Sequence, residues 1–598
     1  MRTVTFNYPF RESGSLVDPT IASTLFEVAL AGRGFFLDTS DEKFRMESIE
    51  AMRAQTDDGE QAGEGSLSNV DLWRRSVQSW HLGAGQTRGD DDESSPYRFQ
   101  SSKGVNVWDR WKLSMLNAVS LEVAGLATPT SLVTVGSRLV HQAGSTFQVT
   151  DDGVTWSSLT TVGTAPTTPA VSDGTDMYYT TAAGVRKLTQ FGIDSAAFTL
   201  ADVDVIGFSK GRLWAGAGNT LSWMTTGSPT TAVTVSFGTF VWTAICDGSR
   251  ATYAAGYSGD QSQIWRIPIK TDGTGLDAAT VAWSAPDGEI VHSMTSYLGY
   301  ILIGTNKGVR FAVADDDGDL TPGSFIPTPE PVYCFEPQDR FVWFGWSDYD
   351  ATSTGLGRVD LSVFTSALTP AYASDLMAPT QGVVKAIATF AGKRFFAIEG
   401  VGVYTEQDTL VAEGTIVTSE WTFGIDDDKI ATLVGIKHEP LVGSVAISLV
   451  IDGFASGTLA ESAKQGSSGP ASILSVDPIR AHRFSLGLRL LSTDDGGPVV
   501  TGTKLMARPV PPHGARIVLP IMLSEQHDRE NAHFPGFPVS DLSFLRGLWR
   551  TGAAVTLQWG GESYNVFPTN FEFVPYRQTL DRKGWTGTCV MELREVAQ

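Results

Sequence analysis

From about residue 116 the chain is written in short runs where Val, Thr, Phe, Tyr and Trp alternate with small or polar residues. Alternation with period two turns successive side chains to opposite faces, the pattern of half-buried strands. Turn residues interrupt the runs roughly every 8 to 12 positions, as in all-β folds. The runs also repeat. A turn leads into an apolar strand and then into a second strand, most often opened by Gly: 136–140 then 144–149, 211–214 then 218–223, 299–303 then 308–311, 392–396 then 402–404. Three more units, at Asp173-Gly174, Asp247-Gly248 and Asp339-Arg340, follow the same plan. The seven turn positions, 136, 174, 211, 248, 299, 340 and 392, lie 38, 37, 37, 51, 41 and 52 residues apart. A period near 40 with two hairpins per unit is what a four-stranded propeller blade needs. The two long gaps hold Gly- and Asp-rich inserts, 271–279 and 347–357, expected in blade loops. The reading is an all-β fold with a β-propeller of about seven blades over 116–410. Six or eight blades, or two β-sandwiches with regular turns, stay open.

The flanks differ. Residues 1–115 read as an extended N-terminal arm and assembly segment. They carry helix-like stretches at 41–53 and 70–78, a polar Gly-containing stretch at 55–67 and the acidic run Asp90-Asp91-Asp92-Glu93. A segment with little core of its own packs on a neighbour. Residues 411–512 read as a β-sandwich with strands at 445–451 and 482–490, a Gly/Ser loop at 465–471 and a stiff Pro-rich end at 509–512. Residues 513–598 hold five β runs, at 515–523, 555–559, 563–567, 570–574 and 586–594, which suit a small β-barrel; 542–550 is its best helix candidate.

Composition narrows the class. At about 150 residues per domain, 598 residues imply about four domains, which matches these segments in number. The net charge of −22 argues against nucleic-acid wrapping and against a polybasic membrane contact. Three cysteines, Cys246, Cys334 and Cys589, lie far apart with no CxxC pair, so neither a zinc knuckle nor a redox dithiol is expected. No apolar leader opens the chain and no run of 18 apolar residues occurs. A carrier other than a signal peptide is expected if the protein works outside a cell.

Candidate chemistry is sparse. Residues 149–156, Val-Thr-Asp-Asp-Gly-Val-Thr-Trp, resemble the Asp-box of sialidase-type propellers, a folding device and not a catalytic site. Asp315-Asp316-Asp317-Gly318-Asp319 has alternating carboxylates in reach of one Ca²⁺, although a solvated hairpin tip explains them as well. His527 and His533 are spaced H-x5-H, which does not put both imidazoles on one helix face. No nucleophile elbow, zinc-protease or phosphate-loop motif occurs, so no catalytic residue and no metal or cofactor is assigned. The best surface candidate is Trp346, Asp348, Tyr349 and Asp350, in an insert whose aromatic rings and carboxylates suit a sugar ring and its hydroxyls.

Several strings together resemble a known family. Leu72-Trp73-Arg74-Arg75-Ser76, Ser79-Trp80-His81-Leu82-Gly83-Ala84-Gly85-Gln86, Tyr97-Arg98-Phe99 and Ser102-Lys103-Gly104-Val105-Asn106-Val107-Trp108 resemble the N-terminal region of minor tail proteins of long-tailed, siphovirus-type phages of actinobacteria. Glu420-Trp421-Thr422-Phe423-Gly424, His438-Glu439-Pro440-Leu441 and Ala507-Arg508-Pro509-Val510-Pro511 are similar to the sandwich after the propeller in that family. The last segment looks more loosely like a distal-tail or tail-tube barrel. The resemblance implies a virion component at the tail tip, without enzymatic activity. It implies partners among the distal-tail, hub and tape-measure proteins, a symmetric homo-oligomer (trimer or hexamer), contact with host cell-wall glycan and no direct nucleic-acid binding. The alternative is a propeller glycosidase acting on cell-envelope polysaccharide, which needs paired carboxylates at the propeller mouth.

Overall fold

In a computed structural model, each of the seven repeat turns is the hairpin that joins the first and second strands of a four-stranded antiparallel sheet. The structure describes residues 26–38, 73–89 and 97–595, apart from 126, 225–227, 250, 271, 273–274, 349–351, 366–368, 424–428, 453, 464–470, 510–513, 530–531 and 560–561, and adds strand backbone at 6–7, 11–12, 15–16, 22–23 and 46–49. Three of the seven turns are two-residue loops with both residues at positive φ: Lys210-Gly211, Leu298-Gly299 and Ala391-Gly392. Such turns match the right-handed twist of the strands that they join.

The sheets are the blades of a seven-bladed propeller. Their first strands are Thr130–Val135, Val171–Ser172, Val203–Ser209, Val241–Asp247, Val291–Tyr297, Phe335–Gln338 and Val384–Phe390. Each packs against the first strands of both neighbouring blades, and the last packs on the first, so the ring closes around these strands. Blade seven is completed from outside the repeat. Its order is Val384–Phe390, Lys393–Ile398, Gly402–Leu410, then Asn117–Ala124, so the strand that precedes blade one is the outer strand of the last blade. Apolar clusters fill the seams between blades: Phe147 with Tyr179 between the first two, Phe395 with Leu132 and Leu139 between the last and the first. Burying one such side chain contributes about 1.5–3 kcal/mol. The insert expected at 271–279 falls between the strands Gln261–Pro268 and Thr280–Ser284. That expected at 347–357 is shorter, because strands reach Ser347 and resume at Thr354; the longer spacing there comes largely from the long strands Thr354–Phe364 and Pro370–Ala378.

The sandwich has a five-stranded sheet, in the order Phe454–Ala463, Ser444–Ile451, Phe484–Leu491, Glu413–Thr418, Phe99–Lys103, and a four-stranded one, Ala471–Ala481, Lys429–His438, Val500–Pro509, Trp73–Val77. The edge strands Phe99–Lys103 and Trp73–Val77 thus come from the N-terminal side. The helix expected over 70–78 is corrected to a strand: Trp73, Arg75 and Val77 are buried in alternation. A buried Arg75 breaks the polar-outside reading that a two-residue period would have given. The same N-terminal stretch fastens onto blade six. The Ala84 N–H donates to the Tyr372 carbonyl at 2.6 Å. The Arg358 guanidinium lies 5.0–5.1 Å from the ring centres of Phe341 and Trp108 and 3.2 Å from the Asp375 carboxylate.

The second compact unit is built from both ends of the chain. Its sheet runs Arg33–Phe35, Val28–Leu30, Val555–Trp559, Glu562–Gln578, Trp585–Glu595, Gly514–Leu523, Met46–Ile49. Leu37 bridges to Ile521 and the Asp38 N–H donates to the Pro520 carbonyl at 2.7 Å, which brings the first strand's continuation back to Gly514–Leu523 and closes a small barrel. Val28, Leu30, Phe35, Leu37, Ile517, Leu519, Ile521, Leu557, Met591 and Leu593 fill it, with Leu545 of the helix Pro538–Thr551. That helix covers the expected 542–550. The helix expected over 41–53 is corrected at 46–49, a strand paired with 514–517, a partner too distant in sequence for local propensity to register; the rest of 41–53 lies outside the described residues.

Candidate functional site

The first strands run from one mouth of the propeller channel to the turns at the other. At the mouth where they begin, four of them carry a β-bulge. The ladder skips Asp204, Thr243, His292 and Lys385, each the second or third residue of its strand. A bulge leaves one residue unpaired and re-aims its side chain. All four bulged residues line one cavity of about 590 Å³, with Trp242, Tyr257, Tyr333 and Glu399 among the rest of its wall.

The polar groups there form a connected set. Lys385 Nζ lies 3.4 Å from the centre of the Tyr333 ring and 3.3 Å from the Glu399 carboxylate. The His292 ring sits 4.6 Å from the Tyr333 ring, tilted by 32°. Burial, reinforced by the Lys385 charge, pulls the His292 pKa down to about 4, so the imidazole is neutral at ordinary pH. Burial raises the Asp204 pKa, with a smaller push from Asp202, against the Gly218 N–H that donates to it at 2.8 Å. The Thr243 hydroxyl donates to the Val291 carbonyl at 2.7 Å, across the seam between blades four and five. The cavity thus offers one cation, two carboxylates, a neutral imidazole, hydroxyls and aromatic rings.

This set escaped sequence reading because its members sit on different blades with no contiguous motif. A signal exists once the repeats are aligned on their turns: Asp204, His292 and Lys385 each follow the Val that opens the strand and each stand six residues before the first residue of the turn.

Of the four residues expected to hold a sugar, two are described. Trp346 is 7 % exposed, packed with Phe344 and Tyr372 in the core, and is corrected to a packing residue. Asp348 is ion-paired with Lys103 at 2.7 Å. Tyr349 and Asp350 lie outside the described residues. The Asp-box forms the turn before the outer strand of blade one: Asp152 accepts from the Val154 and Thr155 N–H groups at 2.9 and 2.7 Å, and Trp156 packs edge-on against Phe395 of blade seven at 6.2 Å. Residues 315–319 are a hairpin tip, where Asp315 accepts from the Asp319 N–H at 2.8 Å. His527 pairs across a short hairpin with Phe534, and His533 with Asp528. Among the described residues, no group of three or more His, Cys, Asp or Glu is placed to hold a metal ion. The three cysteines are unpaired.

No family model and no curated protein matches the sequence. Solved structures do. The Dos1 propeller is 10% identical, with a TM-score of 0.34, over 50% of this chain and 95% of its own. The computationally designed Ika8 protein is 11% identical, with a TM-score of 0.34, over 49% of this chain and 99% of its own. An extracellular domain assigned to a hybrid two component system of B. thetaiotaomicron is 11% identical, with a TM-score of 0.36, over 79% of this chain and 58% of its own, so this chain spans less than two thirds of it.

Proposed function

We propose that the protein is a structural, non-enzymatic component of a phage tail tip, a minor tail protein located in the virion. Its barrel docks on other tail subunits such as the distal-tail, hub or tape-measure proteins, in a symmetric homo-oligomer. Its propeller is presented to host cell-wall glycan. The observation that carries the reading is the apolar surface of the barrel unit. Phe537, Val539, Trp549, Val574, Tyr576, Leu580 and Trp585 are all exposed, and Leu580, in the turn between the last two strands, is 86 % exposed. The barrel unit, much the smaller of the two, carries seven such side chains against nine in the rest of the described chain, a density that favours a surface covered in an assembly. The family resemblance of the N-terminal strings supplies the kind of assembly.

The test is a protein inventory of purified particles of the phage that encodes this chain. The chain is expected among tail proteins, and the Leu580→Asp, Trp585→Ser variant is expected to fold and yet be missing from particles. Particles without the native chain would end the reading.

A further inference from the structure

We propose that the bulge-lined mouth of the propeller channel is a binding site for a neutral saccharide. The placement argument comes first. A β-bulge costs ladder hydrogen bonds, and here the four skipped residues, on blades three, four, five and seven, all reach one cavity. Bulges also occur between the third and fourth strands of blades one to six; the four on first strands occupy the same height in the ring and put Asp, Thr, His and Lys there. The volume of about 590 Å³ lies in the range of roughly 300–1,000 Å³ typical of small-molecule sites.

The chemistry selects the ligand class. Sugar hydroxyls both donate and accept, so a sugar site needs acceptors and donors side by side. Glu399 and Asp204 accept, Lys385 donates, and the neutral His292 ring does one at each nitrogen. An anion would meet two carboxylates against one ammonium, and that ammonium is already paired at 3.3 Å with Glu399. A cation would have to displace Lys385 from the Tyr333 ring, where it lies at 3.4 Å. A neutral polyhydroxylated ring meets neither cost, and Tyr257 adds aromatic wall.

The inference does not depend on the tail-tip reading, because binding by the purified chain is independent of whether particles contain it. The experiment is ligand-observed NMR on the full chain with glucose, galactose, arabinose and N-acetylglucosamine at up to about 10 mM, a range that detects weak sites. Inorganic phosphate and tetramethylammonium serve as the anionic and cationic arms. Two variants probe the site. Lys385→Met keeps a straight chain beside Tyr333 without the charge, and His292→Phe keeps the ring contact without the nitrogens. Lys210→Gln, on a turn at the opposite end of the first strands, is the control. At least one sugar is expected to bind and to weaken by about tenfold in either site variant, with the control unchanged. The proposal is overturned if no sugar binds, if both site variants bind as the native chain does, or if only phosphate or tetramethylammonium binds.

Discussion

The propeller and the barrel are both closed by a strand from the N-terminal side of the chain, but at very different range. In the propeller, six blades are each built from four consecutive strands, and only the seventh borrows one, with Ala124 opposite Gly402 and Asn117 opposite Leu410. In the barrel, Val28 pairs with Trp559 and Leu30 with Leu557. Nearly all of the propeller can therefore form from neighbours in sequence, while the barrel has no closed core until the two ends of the chain meet. The difference is one of loop-closure entropy and contact order, since both cores are filled by apolar side chains.

The largest effect follows from removing the borrowed strands. A chain lacking residues 1–38 loses Val28, Leu30, Phe35 and Leu37 from the barrel core, at about 1.5–3 kcal/mol each, and exposes the edge of Val555–Trp559 and the part of Gly514–Leu523 beyond its pairing with Met46–Ile49. Amide exchange in these two strands is expected to speed up to near the unfolded rate, while blade strands such as Tyr300–Thr305 keep their protection. Retained protection at 514–523 would mean that the barrel does not need its N-terminal strands.

The same contrast explains what could be read from sequence. The propeller was legible because each blade restates its turn chemistry at a fixed period, so that Gly136, Gly211, Gly299 and Gly392 announce corresponding hairpins. The runs at 515–523 and 555–559 were legible as strands for the same local reason, but not their partners: nothing in Val28-Ala29-Leu30 names Leu557. The sugar candidate at Trp346 failed because an aromatic beside carboxylates looks alike whether its ring faces solvent or core, and only burial separates the two. The channel residues were invisible because one polar residue after Val carries no signal until three such positions, Asp204, His292 and Lys385, converge.

Acid should separate the regions next. His141, in the second strand of blade one, is fully buried, and burial pulls its pKa down to about 4 from an ordinary 6.5. Between those values the unfolded chain binds more protons than the folded one, so propeller stability falls as pH drops from about 6.5 to about 4 and levels off below. A shift of this size corresponds to about 3 kcal/mol. The gap between the denaturant midpoints of the propeller at pH 7 and pH 4.5 is expected to narrow in His141→Phe, and to narrow further when His292, whose pKa burial also pulls down to about 4, is replaced as well. An unchanged pH slope in that variant would place the acid sensitivity elsewhere.

The smallest effect tests the local turn code itself. Leu298 opens a two-residue turn at φ 49°, where a Cβ is disfavoured, and it is 58 % exposed, so its side chain gains little from packing. The left-handed conformation costs a residue with Cβ about 1–2 kcal/mol. Glycine relieves that but loses about 0.5–1 kcal/mol of chain entropy on folding. Leu298→Gly is therefore expected to stabilise the propeller by about 0.5 kcal/mol, read as a small rise in its denaturant midpoint. Gly299→Ala puts a Cβ on a backbone at φ 86°, which residues with a side chain rarely adopt, and is expected to lower the midpoint instead. Opposite signs at adjacent residues would show that backbone conformation sets the repeat at this turn. A fall in both would mean that the Leu298 side chain holds the turn by contact, and that the period in the sequence reports packing rather than turn geometry.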